Sequence, residues 1–427
     1  MLTRRVLFGI TGAALLAPSA TLTAARATPT IAGASAASST RTPRRPVPLR
    51  FPRPSGPFPV GTTELHLVQT GRPDPYRPER TRELMISLWY PASRPALAAP
   101  YLPPLTAAFY AEGAAIALQQ PVGTVDWVGA RNHAGLSAPV SRSWGKRPVV
   151  VFSPGFGVPR GLASVMVAEL ASRGYVVATV DHTYEAAGVE FPGGRLEVQT
   201  LPTGNYAKLA RDSRVADVRF VLDSLEKLAK GNNPDAAKRR LPDGLGEILD
   251  LTRIGAYGHS AGGITAADVM DVDRRVKAGI DLDGTLGYGY TVDDPAPVVR
   301  NGLDRPFLLV GAGNTGSTGG PQTHLTEQSW GRFWQHSTGW KRDLNVGLGG
   351  HYTFIDHQVL IPWFGRFFTV PPELVANTVG SVDPDRIQRS LNAYLPGFFD
   401  LHLRGREVPR RLWQGESPRH PDVRFIA

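Results

Sequence analysis

From about Phe51 onward, short apolar stretches rich in β-branched residues alternate with longer stretches whose apolar positions recur every three to four residues. Alternating or continuous apolar runs of this length form strands, and the 3.6-residue period forms helices, so the rhythm predicts strands joined by crossover helices. Residues 64–69 and 85–90 (Met-Ile-Ser-Leu-Trp-Tyr) alternate and predict an antiparallel opening pair. Residues 148–153 (Pro-Val-Val-Val-Phe-Ser) and 175–180 are continuously apolar, as expected of strands buried on both faces of a parallel sheet. Between them, 161–173 has helical periodicity and stops at Gly174; 214–230 predicts another amphipathic helix. A strand at 253–257, a helix from about Ala261, and strands at 276–282, 306–310 and around 344–346 follow. A last helix is expected over 385–403, where Pro396 should kink or split it. The fold class is therefore α/β, with one mostly parallel central sheet, helices on both faces and right-handed crossovers. Residues 106–120 and 186–208 interrupt the rhythm and are expected to cover one end of the sheet as a partial lid.

A chain of 427 residues can bury a sizeable core, and the continuous rhythm over 51–427 reads as a single domain. With 42% hydrophobic and 20% charged residues, most of it should fold. The formal charge of +10 raises the question of nucleic acid. Seven arginines, with no acid, fall within residues 1–50, which leaves +3 for the remainder. No basic stripe interleaved with aromatics appears there, so no nucleic-acid partner is expected. The absence of cysteine excludes disulfides, thiolate metal sites and a cysteine nucleophile.

At the amino end, Thr3-Arg4-Arg5 precedes an apolar run that continues through Ala17, too short to span a bilayer as a helix. Residues 1–27 read as a signal peptide of the twin-arginine type, with Ala25-Arg26-Ala27 as the small-residue cleavage site, and the protein is expected to be secreted. Residues 28–50, rich in Ala, Ser, Thr and Pro, lack the apolar surface to offset ordering entropy and are expected to be a flexible leader.

Gly258-His259-Ser260-Ala261-Gly262 is a G-x-S-x-G sequence placed after a predicted strand and before a predicted helix, the context a nucleophile elbow requires. A serine needs a base, and the base an orienting acid. In the hydrolase order both follow the serine, at the ends of later strands. Ile280-Asp281-Leu282-Asp283-Gly284 offers two carboxylates expected on one face; Asp283 lies nearer the carboxyl end and is preferred, with Asp281 as its structural alternative. Gly349-Gly350-His351 follows the last predicted strand, and the paired glycines can present the imidazole, so His351 is the candidate base. His357 is expected inside a helix as a packing or surface residue, and His259 should point into the fold. Two N–H donors are needed for a developing oxyanion. The backbone of Ala261 is one candidate, and Phe156, within Ser153-Pro154-Gly155-Phe156-Gly157, is the other.

With these residues in place the chain resembles the platelet-activating-factor acetylhydrolase family of α/β-hydrolases, including bacterial secreted relatives often called lipases. The resemblance is carried by Gly-Pro-Phe-Pro-Val-Gly (56–61), Leu-Trp-Tyr-Pro-Ala (88–92), the 152–157 loop, Gly-His-Ser-Ala-Gly-Gly (258–263), Leu282-Asp283, His-x-x-Phe-x-Asp (351–356) and Phe-Phe-Asp-Leu-His-Leu (398–403). It implies a calcium-independent carboxylic-ester hydrolase acting through Ser260, Asp283 and His351, without a cofactor or obligate protein partner, on short-acyl esters such as a glycerophospholipid's second position. Its substrate would be a small-molecule or lipid ester, met in part through transient contact with a lipid surface. In one position the chain departs from the family's pattern: Pro154 stands where a histidine is common, a change that bears on the substrate more than on the ester chemistry.

Two other classes have sequence support. Gly311-Ala312-Gly313-Asn314-Thr315-Gly316 matches the dinucleotide fingerprint after a predicted strand, but Ser317-Thr318-Gly319-Gly320-Pro321 reads as a mobile loop rather than the helix a pyrophosphate needs. A non-catalytic binding module of the same fold is the other. Among hydrolases, a triacylglycerol lipase or a cutinase-like polyester hydrolase is the alternative.

Overall fold

The computed structural model describes residues 45–203, 206–287, 295–314, 320–407 and 412–427. The expected signal peptide (1–27) and most of the expected leader lie outside them. In chain order come β1 (Val47–Pro48), β2 (Val60–Pro73), β3 (Thr81–Pro91), β4 (Ala98–Pro100), α1 (Pro104–Leu118), β5 (Val125–Asp126) and β6 (Arg131–Leu136). The next stretch holds β7 (Arg147–Ser153), α2 (Ser164–Ser172), β8 (Val176–Asp181), the hairpin β9 (Gly188–Phe191) and β10 (Arg195–Val198), and α3 (Ala207–Ala229). Then follow β11 (Leu249–His259), α4 (Ala261–Val272), β12 (Val276–Leu282), α5 (Pro297–Asn301), β13 (Phe307–Asn314), α6 (Gln328–His336) and β14 (Lys341–Gly350). The chain closes with α7 (His357–Phe364), α8 (Pro372–Thr378), α9 (Pro384–Arg404) and β15 (Arg424–Ile426).

One sheet organises these elements, in the order β15-β14-β13-β12-β11-β7-β8-β3-β2-β6-β4. From β14 to β8 the strands are parallel, and β3 and β2 continue antiparallel, with Glu64 opposite Ser87 as the alternation predicts. Every residue of β7 and β8 is buried. Their continuous apolar runs are used on both faces: Val150, Phe152 and Val177 join the core with α2 and α9, while Val149, Val151, Val176 and Ala178 join the core with α3 and α4. The glycines of the 56–61 motif mark close approaches. A Cβ on Gly56 would lie 2.3 Å from the Ser172 carbonyl oxygen, and one on Gly61 would lie 2.5 Å from the Tyr90 ring.

Several boundaries differ from the sequence reading, each because of a partner distant in the chain. The expected leader extends to residue 50, yet Val47 and Leu49 are core residues and β1 pairs in parallel with β5, so the fold begins before Phe51. Helix α3 starts seven residues before 214 because Arg211 in its first turns is buried, its Nε and Nη2 groups donating to Asp268 at 2.9 and 2.7 Å. Part of the second lid segment is thus helix. Pro396 does not split α9. The helical hydrogen bond it cannot make is outweighed by the buried Tyr394, Leu395, Phe398 and Phe399 around it.

The first four residues of the dinucleotide-like sequence are also not a loop: β13 continues through Asn314 beside β14. Gly311 and Gly313 are small because a Cβ there would lie 1.9 Å from the Gln322 carbonyl oxygen and 1.8 Å from that of Gly347. Of the expected mobile loop, Ser317, Thr318 and Gly319 lie outside the described residues.

Candidate active site

Registers across the sheet bring the chemistry to one edge. Gly258 pairs with Ser153 on one side and Asp281 on the other, so the segments leaving β7, β11 and β12 emerge side by side. Ser260 sits between β11 and α4 with φ 55° and ψ −123°, a backbone state that side-chain-bearing residues rarely hold. Its N–H donates to Leu282 O at 2.8 Å, and its carbonyl accepts from Gly263 and Ile264. The turn can be this tight only with glycine on either side. A Cβ on Gly258 would lie 2.3 Å from the Gly262 carbonyl carbon, and one on Gly262 would lie 1.8 Å from Ser153 O.

Asp283 follows β12 with φ 61°, which ends the strand alternation. Asp281 and Asp283 therefore do not share a face, contrary to the sequence expectation. Asp281 stays within β12 against Gly263, where its Oδ1 accepts from Gly284 N at 2.9 Å. Burial, reinforced by the Asp283 charge, pushes its pKa well above the usual carboxylate range. The Asp283 carboxylate instead points toward the next strands: Oδ1 accepts from Ala312 N at 2.7 Å and Oδ2 from His351 Nδ1 at 2.5 Å. Gly284 is needed because its Cα passes the Ser260 carbonyl, where a Cβ would lie at 2.3 Å.

His351 opens a short 3-10 turn directly after β14, and its side chain is 23% exposed while that of Asp283 is fully covered. The structure thus joins two of the three candidate side chains directly. His259, the chain neighbour of Ser260, reaches the same segment: its Nε2 donates to His351 O at 2.8 Å and its ring lies 4.5 Å from the His351 ring. Burial, with His351 close by, pushes the His259 pKa well below its usual value, so the ring is a neutral donor. Sequence reasoning sent His259 into the fold without this role. Its place inside the elbow was the available signal.

His357 begins α7 as a buried packing residue, 3.1 Å from Tyr110 Oη. Asp356, the last residue of the His-x-x-Phe-x-Asp motif, was not assigned a role from sequence. Its Oδ2 accepts from Ser164 N (2.9 Å) and Oγ (2.7 Å), and its Oδ1 from Val165 N (3.0 Å), which ties the segment after His351 to the first turn of α2.

The two candidate oxyanion donors lie on segments that touch. Ala261 is the first residue of α4, and Phe156 lies beyond Pro154, whose carbonyl would be 2.9 Å from a Cβ on Gly262. Among the described residues, no protein acceptor takes either N–H. The Phe156 ring is half-buried and stacks on Tyr206 at 5.4 Å.

The two lid segments contain α1 and the β9–β10 hairpin, joined where Glu190 Oε2 accepts from Leu105 N at 2.6 Å. Beneath them is a cavity of about 310 Å³ lined by residues including Met85, Trp89, Tyr101, Arg160 and Phe191. Ser260, Asp283 and His351 are not among its lining residues. Among the described residues, no cluster of three or more His, Asp or Glu is arranged to hold a metal, and no helix is long and apolar enough to cross a membrane.

A mostly parallel sheet with a strained serine between strand and helix, and an Asp–His pair at the ends of later strands, defines the α/β-hydrolase class. A family model described as platelet-activating factor acetylhydrolase, isoform II, matches residues 47–192. A probable 1-alkyl-2-acetylglycerophosphocholine esterase of Arthroderma benhamiae is 28% identical over 399 residues, 88% of this chain and 93% of that protein. A platelet-activating factor acetylhydrolase of Cavia porcellus is 25% identical over 259 residues, 55% of each chain. The solved structure of a ferulic acid esterase from Streptomyces cinnamoneus is 37% identical, covering 88% of this chain and 98% of that one, with a TM-score of 0.67. The chain is a platelet-activating-factor acetylhydrolase-like α/β-hydrolase and a carboxylic-ester hydrolase.

Proposed function

We propose that the hydrolase works by two-step acyl transfer with Ser260 as nucleophile, His351 as base and Asp283 as its orienting acid. The observation that carries this reading is the 2.5 Å contact between Asp283 Oδ2 and His351 Nδ1 beside the strained elbow. With its Nδ1 proton donated to the carboxylate, His351 keeps its lone pair on Nε2, the nitrogen that takes the Ser260 proton as Oγ attacks the ester carbonyl. Asp283 stabilises the resulting imidazolium. The tetrahedral oxyanion is received by the N–H groups of Phe156 and Ala261, which have no protein acceptor among the described residues. Collapse expels the alcohol, which takes a proton from His351, and water then repeats the sequence in reverse to release the acid and free Ser260.

The substrate we infer is a short-acyl ester, an acetylated glycerophospholipid among them, on the strength of the acetylhydrolase relatives. A second reading, esters of aromatic acids, is favoured by the ferulic acid esterase, the more similar of these relatives. Secretion by way of an export signal at 1–27 belongs to the same proposal and is supported by Thr3-Arg4-Arg5 ahead of an apolar run.

A fluorophosphonate probe should label the protein and fail on Ser260→Ala; equal labelling of both removes Ser260 from the reaction. Rates on p-nitrophenyl esters of increasing length, on a 2-acetyl phospholipid and on methyl ferulate decide the substrate. A maximum at acetyl or butyryl is expected, and a maximum at long chains overturns the short-acyl reading.

A further inference from the structure

Directly beneath the loop that carries Phe156 lies a set of charged side chains that the acyl-transfer steps do not use. Arg214, on the inward face of α3, is 2% exposed, and its partner Glu185 is completely buried. Arg214 Nε donates to Glu185 Oε1 at 2.6 Å, and Arg214 Nη1 donates to the carbonyl oxygen of Pro154 at 2.7 Å. Tyr76 Oη donates to the other Glu185 oxygen at 3.3 Å. One step earlier in the loop, Ser153 Oγ lies 3.4 Å from His182 Nε2, and His182 Nδ1 lies 2.9 Å from Asp217 Oδ2. Arg82 and Arg72 hold Asp217 from its other sides. A buried ion pair contributes little net stability compared with apolar side chains of the same size, so stability alone is a weak account of this one.

We propose that Arg214 and Glu185 are positioning residues that fix the oxyanion loop for catalysis. This rests on the role given above to the Phe156 N–H. Pro154 has no N–H of its own, so its carbonyl is the handle by which this part of the loop is held. That carbonyl also faces the start of α4, since a Cβ on Gly262 would lie 2.9 Å from it. Rotation of the Pro154–Gly155 peptide would remove its oxygen from Arg214 and swing the following amides, Phe156 included, away from Ser260. Glu185 completes the clamp by holding the guanidinium flat in one orientation through a charge-assisted bond, which a flexible cation could not sustain alone. His182 contributes a neutral ring, its pKa pushed down by burial and then by the Arg214 charge, so the support under Ser153 adds no competing positive charge.

An oxyanion donor acts mainly on the transition state, so disturbing its support lowers kcat and leaves KM largely unchanged. The test compares full-length Arg214→Met, Arg214→Lys and Glu185→Gln with the parent protein and with Ser260→Ala on p-nitrophenyl acetate. Arg214→Met should lose roughly 10–100-fold in kcat with KM within about twofold, a share of the 10²–10³ that removal of a whole donor costs. The midpoint of its pH–rate profile should not move, because the Asp283–His351 pair is untouched. Affinity for a boronic acid, which places an oxyanion in the same position, should fall by the same factor. Arg214→Lys should recover part of the loss, and Glu185→Gln should lose less than Arg214→Met. Full kcat in folded Arg214→Met overturns the proposal, as does a loss confined to KM. Should Arg214→Met fail to fold, full kcat in both Arg214→Lys and Glu185→Gln overturns it equally. Hydrolysis surviving in Ser260→Ala would instead overturn the catalytic reading on which it rests.

Discussion

The Asp283 carboxylate meets the His351 imidazole across 68 residues of chain, Oδ2 to Nδ1 at 2.5 Å, while Asp281, two residues before it, faces α4. Replacement of each carboxylate by an amide separates their roles. Asp283→Asn should lower kcat by about 10³–10⁴-fold, because the amide favours the wrong imidazole tautomer and cannot stabilise the imidazolium. Asp281→Asn keeps the acceptor for Gly284 N and replaces a carboxyl that burial already drives toward its neutral form, so kcat should stay within about tenfold. Equal losses in the two variants, by steady-state kinetics on one ester, would contradict the assignment.

Strain at the elbow should be visible as stability. Ser260 holds a φ of 55° that glycine adopts freely. Ser260→Gly should be inactive yet more stable by about 1 kcal/mol, offset in part by glycine's greater freedom in the unfolded chain. Urea unfolding measures it, with Ser260→Ala, which keeps the Cβ, as the reference; a lower midpoint for the glycine variant would argue that the conformation is unstrained.

Loss of the bond from His259 to the His351 carbonyl should release the segment carrying the base. His259→Phe preserves the aromatic volume and removes the donor. A fall in kcat of roughly tenfold or more is expected, with the parent's substrate range kept, since a small displacement of a reacting group is costly. Unchanged kcat in a folded His259→Phe would show that the turn after β14 holds His351 without help.

Acid should unfold this protein in part through His357, whose pKa burial pushes down to about 4. The unfolded chain takes up the proton near pH 6.5, the folded one only near 4, so this stabilisation is complete above about 6.5 and is lost as the pH falls between those values. About 3 kcal/mol is involved. Asp356 acts in the opposite sense: burial raises its pKa to about 6, so its contribution is present below about 3.8 and is lost as the pH rises through 6. His357→Gln, which keeps a partner for Tyr110, isolates the histidine. The difference in unfolding free energy between variant and parent should shift toward the variant by about 3 kcal/mol from pH 7 to pH 4, read from urea midpoints. A constant difference would mean that His357 is protonated in the folded protein.

What the sequence alone determined was whatever short-range patterning encodes. The antiparallel pair around Glu64 and Ser87 follows from alternation, and β7 and β8 follow from apolar runs that only a doubly covered strand can use. The glycines around Ser260 mark the elbow in the sequence because the strand–turn–helix context is local, although Ser153 and Pro154, distant in the chain, are what crowd Gly262. Tertiary structure decided the rest. Val47 and Leu49 look like leader until β5 arrives 78 residues after Val47 to pair with Val47 and Pro48, and the polar first turns of α3 look like loop until Arg211 finds Asp268. The glycines at 311 and 313 imitate a nucleotide fingerprint, yet the backbones at Gln322 and Gly347 are what require them. The Arg214–Glu185 clamp lay beyond sequence reasoning because an arginine on a helix pattern reads as solvated. Only when α3 packs under the Pro154 loop does its guanidinium leave water for a carboxylate and a carbonyl, and such contacts have no signature in the order of residues along the chain.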